Sequence, residues 1–204
     1  MKAHPTTHAI RAAVLDLDGT LLRKDKTFSP RTLKAVASLV SRGITVFVAT
    51  GRCVQSALPF HRQLGLTTPL ICCNGATVVD SDGTIIQQHV LGDTASRDLV
   101  TCSREFGIPM HAFMDGKLYF EPEHAHADRY DPQAHLHGIY TDFDSLPALH
   151  FTKVMFMAET AKLDMLRERL SRDYGHQLHM VFTHSSYLEV MHSLAGKKRG
   201  LPFV

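Results

Sequence analysis

The chain has 204 residues, enough for one large or two small domains, with 44% hydrophobic and 21% charged residues, an ordinary globular balance. A formal net charge of +2 excludes the basic field expected of a nucleic-acid binder, and no apolar run approaches the ~20 residues of a membrane span. Residues 1–11 lack the apolar stretch of a signal peptide, and Cys53, Cys72, Cys73 and Cys102 have no metal-ligand spacing, so reduced thiols in a cytoplasmic protein are expected.

An apolar run over 12–15 ends in Asp16-Leu17-Asp18-Gly19-Thr20. If this is a strand entering a turn, alternation puts Asp16 and Asp18 on one side and Leu17 on the other, and Gly19 permits the bend. Two carboxylates at the C-terminal end of a strand, in an α/β protein, stand where ligands usually bind. Such a pair can hold a hard divalent cation, most naturally Mg²⁺, and can divide nucleophilic attack and proton transfer between its members. The competing reading is a plain Asp-Gly turn, as expected for Asp82-Gly83 and Asp115-Gly116, which lie between apolar runs. An EF-hand loop is excluded: the glycine is fourth rather than sixth, and Thr27 stands at the twelfth place, where a glutamate is needed.

Residues 23–28 form a polar connection, after which Ser29-Pro30 opens a helix with serine as N-cap and proline in the first turn. Leu33, Val36, Ala37 and Val40 recur at helical spacing and Gly43 closes the helix. The β-branched run 44–49 reads as a buried parallel strand and ends in Thr50-Gly51-Arg52, just before a helix over 54–64. A third short strand, 69–73, ends in Asn74-Gly75-Ala76. Three successive strands therefore end in small or polar residues on what should be one sheet edge, with a helix N-terminus aimed at it.

Beyond residue 77 the pattern changes to hairpins over 77–86 and 110–120, separated by a helix over 95–106 that Gly107 ends. Residues 121–149, rich in His, Pro and Asp, are expected to be a long loop with little regular structure. His124, His126, His135 and His137 fall there, without the companions a zinc site needs. A strand over 151–158, a helix over 163–170 and two more strands over 177–182 and 187–191 follow. Antiparallel strands and two helices inserted after a βαβαβ opening indicate a second domain.

These motifs resemble the haloacid dehalogenase (HAD) superfamily, and within it the Cof-like phosphatases with a type IIB cap. The first motif is matched by Asp16 to Thr20, the second by Thr50 within Ala49-Thr50-Gly51-Arg52, and the Asn-Gly-Ala motif by Asn74 to Ala76. The third, a lysine shortly after a Leu-Glu-Val strand, is matched by Leu188-Glu189-Val190 and Lys197. The stretch 59–75 looks most like the pyridoxal phosphate phosphatases. The resemblance implies an incomplete Rossmann-like core with a parallel sheet and an inserted α/β cap of mainly antiparallel strands, divided as core 1–84, cap 85–186 and return to the core 187–204. It implies Asp16 as nucleophile, Asp18 as acid and base, and Mg²⁺ held by the Asp16 side chain and the Asp18 main-chain carbonyl. Leu17, Thr50, Gly51, Asn74 and Lys197 would bind the phosphoryl group of a small ester such as pyridoxal phosphate or a sugar phosphate. From its own residues, 196–200 can equally be a solvated basic turn, and Lys198 stands where the family usually has a glycine.

Family members continue past the lysine to a fourth, metal-binding motif, whereas this sequence stops at Val204. The resemblance thus implies a lost metal ligand and a bare edge on the first strand, open to self-association. A remnant that binds phosphate or metal without turnover, and a phosphomutase, are the rival functions.

Overall fold

The strand-forming runs sort into two sheets according to whether their connections are helical crossovers or tight turns. A computed structural model describes residues 10–121 and 138–201. The first part comprises β1 (Ala12–Leu15), α1 (Pro30–Ser41), β2 (Thr45–Ala49), α2 (Val54–Gln63), β3 (Leu70–Cys72), β4 (Thr77–Val79) and β5 (Ile85–Gln88). They form a five-stranded sheet in the order β1-β2-β3-β4-β5, parallel from β1 to β3 and antiparallel beyond. The expected cap of α1 is present: the Ser29 hydroxyl accepts from the Thr32 N–H at 2.9 Å. Leu17, Val36, Val46, Val48, Ala57 and Leu70 close one core beneath the helices. Among the described residues β1 is an edge strand, with Val14 44% exposed.

The second part comprises α3 (Asp93–Phe106), β6 (Met110–Met114), β7 (Lys117–Phe120), β8 (Gly138–Tyr140), β9 (Lys153–Met157), α4 (Thr160–Tyr174), β10 (Leu178–His184) and β11 (Tyr187–His192). The sheet order is β10-β11-β9-β6-β7-β8, antiparallel except for β7 with β8. Alternation gives it two distinct faces. Met110, Val154, Phe156, Leu188 and Val190 pack with Leu99, Leu163, Leu166 and Leu170 of α3 and α4. His111, Phe113, Lys153, Met155, Glu189 and Met191 lie on the opposite face. There Phe113, Leu118, Phe120 and Met191 meet Cys53, Cys73 and Ala76 of the first part, so a third apolar cluster joins the two sheets.

Three placements differ from the sequence expectation. Ile85–Gln88 stays in the first sheet, paired with β4, and Tyr187–His192 belongs to the second sheet, paired with β9 and β10. The chain thus crosses between sheets near 89–92 and 193–196, where the His89 and His192 rings stack at 5.6 Å. Within 121–149, Gly138–Tyr140 is a strand and Phe143 is fully buried against Phe151 (centroids 5.4 Å), because aromatic side chains there complete the second core. The His124, His126, His135 and His137 positions lie outside the described residues. No helix among the described residues is long and apolar enough to cross a membrane.

The short α5 (Lys197–Gly200) returns the chain to the first sheet. It docks through glycine: a Cβ on Gly75 would lie 2.2 Å from the Gly196 carbonyl oxygen, and Gly75 has φ +91°. Both the close approach and the left-handed backbone exclude other residues. Gly75→Ala is therefore expected to destabilise the fold by at least about 2 kcal/mol, seen as a loss of roughly 4–8 °C in Tm by calorimetry.

Candidate phosphoryl-transfer site

Parallel β1, β2 and β3 release their chains on one edge: β1 into Asp16-Leu17-Asp18, β2 into Thr50-Gly51-Arg52, and β3 into a left-handed turn at Cys73 and Asn74 (φ 49° and 53°). The α5 contact with Gly75 sets Lys197 over the same edge. Lys197 Nζ lies 2.7 Å from Asp16 Oδ2, and the Leu17 N–H donates to Asp16 Oδ1 at 2.8 Å. One carboxylate is thus held at both oxygens by groups that also suit a phosphoryl oxygen.

Asp18 is held differently. Arg52 donates to it twice, Nε to Oδ2 at 2.7 Å and Nη2 to Oδ1 at 2.9 Å, and Lys26 Nζ donates to Oδ1 at 2.9 Å. The guanidinium also covers the Phe60 ring, 5.0 Å from its centroid. Partial burial works to raise the Asp18 pKa, but the Arg52 and then the Lys26 hydrogen bonds and charges outweigh it, bringing the carboxyl down to about 2.

The two other loops are joined to each other. The Asn74 N–H donates to the Thr50 carbonyl at 3.0 Å, the Cys73 N–H to the Arg52 carbonyl at 2.8 Å, and the Arg52 N–H to Thr50 Oγ1 at 3.2 Å. Thr50 is fully buried. The Asn74 side chain turns to the second sheet, its Nδ2 donating to Glu189 Oε2 at 2.5 Å. Lys153 Nζ donates to the other Glu189 oxygen and to the Gly51 carbonyl, each at 3.0 Å.

Of the residues expected from the sequence, Asp16, Leu17 and Lys197 converge directly, Asp18 lies beside them in sequence, and Thr50, Gly51 and Asn74 form the adjoining rim. Sequence reasoning missed Arg52, Lys26, Lys153 and Glu189 as partners. Arg52 was visible in the Thr-Gly-Arg tripeptide, and Lys153 and Glu189 are charges inside apolar strand runs, a signal of buried pairing. Lys26 sits in a polar connection and gave none.

Among the described residues no group of three or more His, Cys, Asp or Glu gathers to hold a metal. The Asp16 carboxylate and the Asp18 main-chain carbonyl could hold Mg²⁺, which is commonly bound by one or two carboxylates with water and substrate phosphate completing its shell. The Asp16 side chain is 38% exposed, leaving room for that water.

This combination of fold and sheet-edge carboxylates is that of a HAD-type hydrolase. The family model described as haloacid dehalogenase-like hydrolase matches residues 13–204, and the chain belongs to that family. It is 32% identical to an HMP-PP phosphatase of Serratia proteamaculans over 89% of this chain and 66% of that protein. It is 31% identical to the pyridoxal phosphate phosphatase YbhA of Escherichia coli over 74% of this chain and 54% of that protein. The chain thus spans just under two thirds, or about half, of the length of these relatives. A haloacid dehalogenase-like hydrolase structure from Bacteroides thetaiotaomicron superposes with a TM-score of 0.81 at 19% identity, covering 95% of this chain and 75% of that one. The expected fold, a Rossmann-like core with a second α/β unit, is thereby established.

Because Arg52 depresses the Asp18 pKa, Arg52→Ala should move that carboxyl's titration upward from about 2, which ¹³C NMR of the metal-free protein would follow. The sign for stability follows from the same shift. Asp18 contributes fully above its unfolded value near 4, and its contribution is lost as pH falls toward about 2.

Proposed function

We propose that this chain is a phosphatase that hydrolyses a small phosphate ester through an aspartyl-phosphate on Asp16. The observation that carries the reading is the clamp on Asp16, where Lys197 and the Leu17 amide hold a carboxylate at the C-terminal edge of a parallel strand. An Asp16 oxygen attacks phosphorus in line, the bond to the ester oxygen breaks, and the leaving oxygen takes a proton from Asp18. Water then attacks the acyl phosphate, its proton passes to Asp18, and inorganic phosphate leaves. Arg52 and Lys26 hold Asp18 ionised, the form needed for that second half, so the first half requires that the bound ester draw these two cations to its own phosphate and let Asp18 take up a proton. Lys197, the Leu17 amide and the Thr50-Gly51 loop balance the charge developing on the equatorial oxygens. Mg²⁺, held by the Asp16 carboxylate and the Asp18 carbonyl, would neutralise the phosphate.

The substrate class follows the relatives: HMP-PP and pyridoxal phosphate are the candidates their names supply. A cytoplasmic setting belongs to the same reading, since all four cysteines are free and buried.

The test is phosphate release from pyridoxal phosphate, HMP-PP and an aryl phosphate, with and without Mg²⁺. Release should need Mg²⁺, fall about 10³-fold or more in Asp16→Asn, and fall about 10²-fold in Lys197→Ala. No release above the Asp16→Asn background would contradict turnover, leaving the remnant reading. Transfer to a second hydroxyl in place of water would identify a phosphomutase.

A further inference from the structure

The pair Lys153–Glu189 has no part in the mechanism above, yet among the described residues it is the most deeply buried ion pair close to the site. The two side chains are 1% and 7% exposed. They come from the second sheet: Met155 pairs with Glu189 across β9 and β11, and Lys153 stands two residues along the same face, a diagonal neighbour. Taking both charges out of water costs several kcal/mol per ion, and an apolar pair of similar volume would fill the space at no such cost. The pair's contacts run out of its own sheet and into the first one. Lys153 Nζ, 4.7 Å above the Phe113 ring, donates to the Gly51 carbonyl, while Glu189 accepts from Lys153 at one oxygen and from Asn74 Nδ2 at the other. Asn74 Oδ1 in turn lies 3.0 Å from where a Gly51 Cβ would be. Gly51, Lys153, Glu189 and Asn74 therefore make a continuous chain of hydrogen bonds joining the loops that leave β2 and β3.

We propose that Lys153 and Glu189 are positioning residues for the anion-binding edge, fixing the Gly51 carbonyl and the Asn74 side chain so that the 50–52 and 73–76 loops keep one arrangement. The physical route is the planar trans peptide. With the Gly51 carbonyl drawn to Lys153, the Arg52 N–H of the same peptide unit is turned the opposite way, where it meets Thr50 Oγ1 at 3.2 Å. The Arg52 carbonyl, in the next peptide unit, accepts from the Cys73 N–H and ties this loop to the exit of β3. Thus the second sheet, beyond any contact with substrate, sets the geometry of the phosphate-binding rim. The consequence for phosphate rests on the phosphatase reading; the ordering of the two loops does not.

The experiment compares the unmodified full chain with Lys153→Met/Glu189→Leu and with Glu189→Gln. Readouts are hydrogen–deuterium exchange of the 50–52 and 73–76 amides, Tm, the dissociation constant for inorganic phosphate, and KM against kcat for an aryl phosphate. In the double variant Tm should stay close to that of the unmodified chain, because no charge is left unpaired. Exchange in the two loops should rise, and phosphate affinity should fall, each by about tenfold, with KM rising to match. A role in stability alone predicts instead that a double variant with unchanged Tm keeps its loop protection and phosphate affinity, and that result would overturn the proposal. Should the double variant not fold, Glu189→Gln decides. It presents an amide to the Asn74 amide and leaves Lys153 without its counter-charge, so Tm should fall, and exchange must rise at 73–76 by more than at amides away from the two loops; no such excess there contradicts the proposal. If the unmodified chain binds and hydrolyses no phosphate, the phosphatase reading fails, and the exchange comparison still decides for or against this pair.

Discussion

The contact between Gly75 and Gly196 is the constraint on which the site depends. Asp16 and Lys197 are 181 residues apart, and most of the chain between them builds or serves another sheet. Their meeting requires the returning segment to descend onto the exit of β3 with no side chain on Gly75, since its Cβ would sit 2.2 Å from the Gly196 carbonyl oxygen. Gly200 repeats the device one turn later, its Cβ position lying 2.9 Å from Ile71. Two small residues thus let a four-residue helix place an ammonium group over the carboxylate at the end of β1.

Electrostatics follow from that closure. Three cations, Lys197, Arg52 and Lys26, face two carboxylates, Asp16 and Asp18. The local excess of positive charge favours a dianion at the sheet edge even though the whole chain is close to neutral. Because both carboxylates remain partly exposed, salt screens the attraction, so it assists arrival more than it holds a bound ligand. Under the proposed function, retention falls to the amides of the three loops, two of which are tied to each other by backbone hydrogen bonds and, as proposed, held by the Lys153–Glu189 pair beneath.

Much of the first sheet was legible, because each of its parallel strands couples an apolar run to an abrupt polar ending: Leu15 to Asp16, Ala49 to Thr50, Cys73 to Asn74. Helix boundaries were legible where a side chain or glycine enforces them, as at Ser29 and Gly107. Sheet membership was harder. Ile85–Gln88 and Tyr187–His192 read correctly as strands, but alternation says nothing about which neighbour a strand pairs with. Asn74 was placed at the site by its motif, while the direction of its amide depends on Glu189, 115 residues away, which no local pattern encodes. Gly138–Tyr140 was hidden inside a polar stretch because it is short and its pairing with β7 is long-range.

Under the proposed function Asp16 accepts the phosphoryl group. Its most direct test is ¹⁹F NMR of the full chain with beryllium fluoride and Mg²⁺, since beryllium trifluoride on a carboxylate mimics an acyl phosphate. Bound-fluoride resonances are expected that require Mg²⁺ and vanish in Asp16→Asn. Absence of bound fluoride in the unmodified chain, or its persistence in Asp16→Asn, would contradict it.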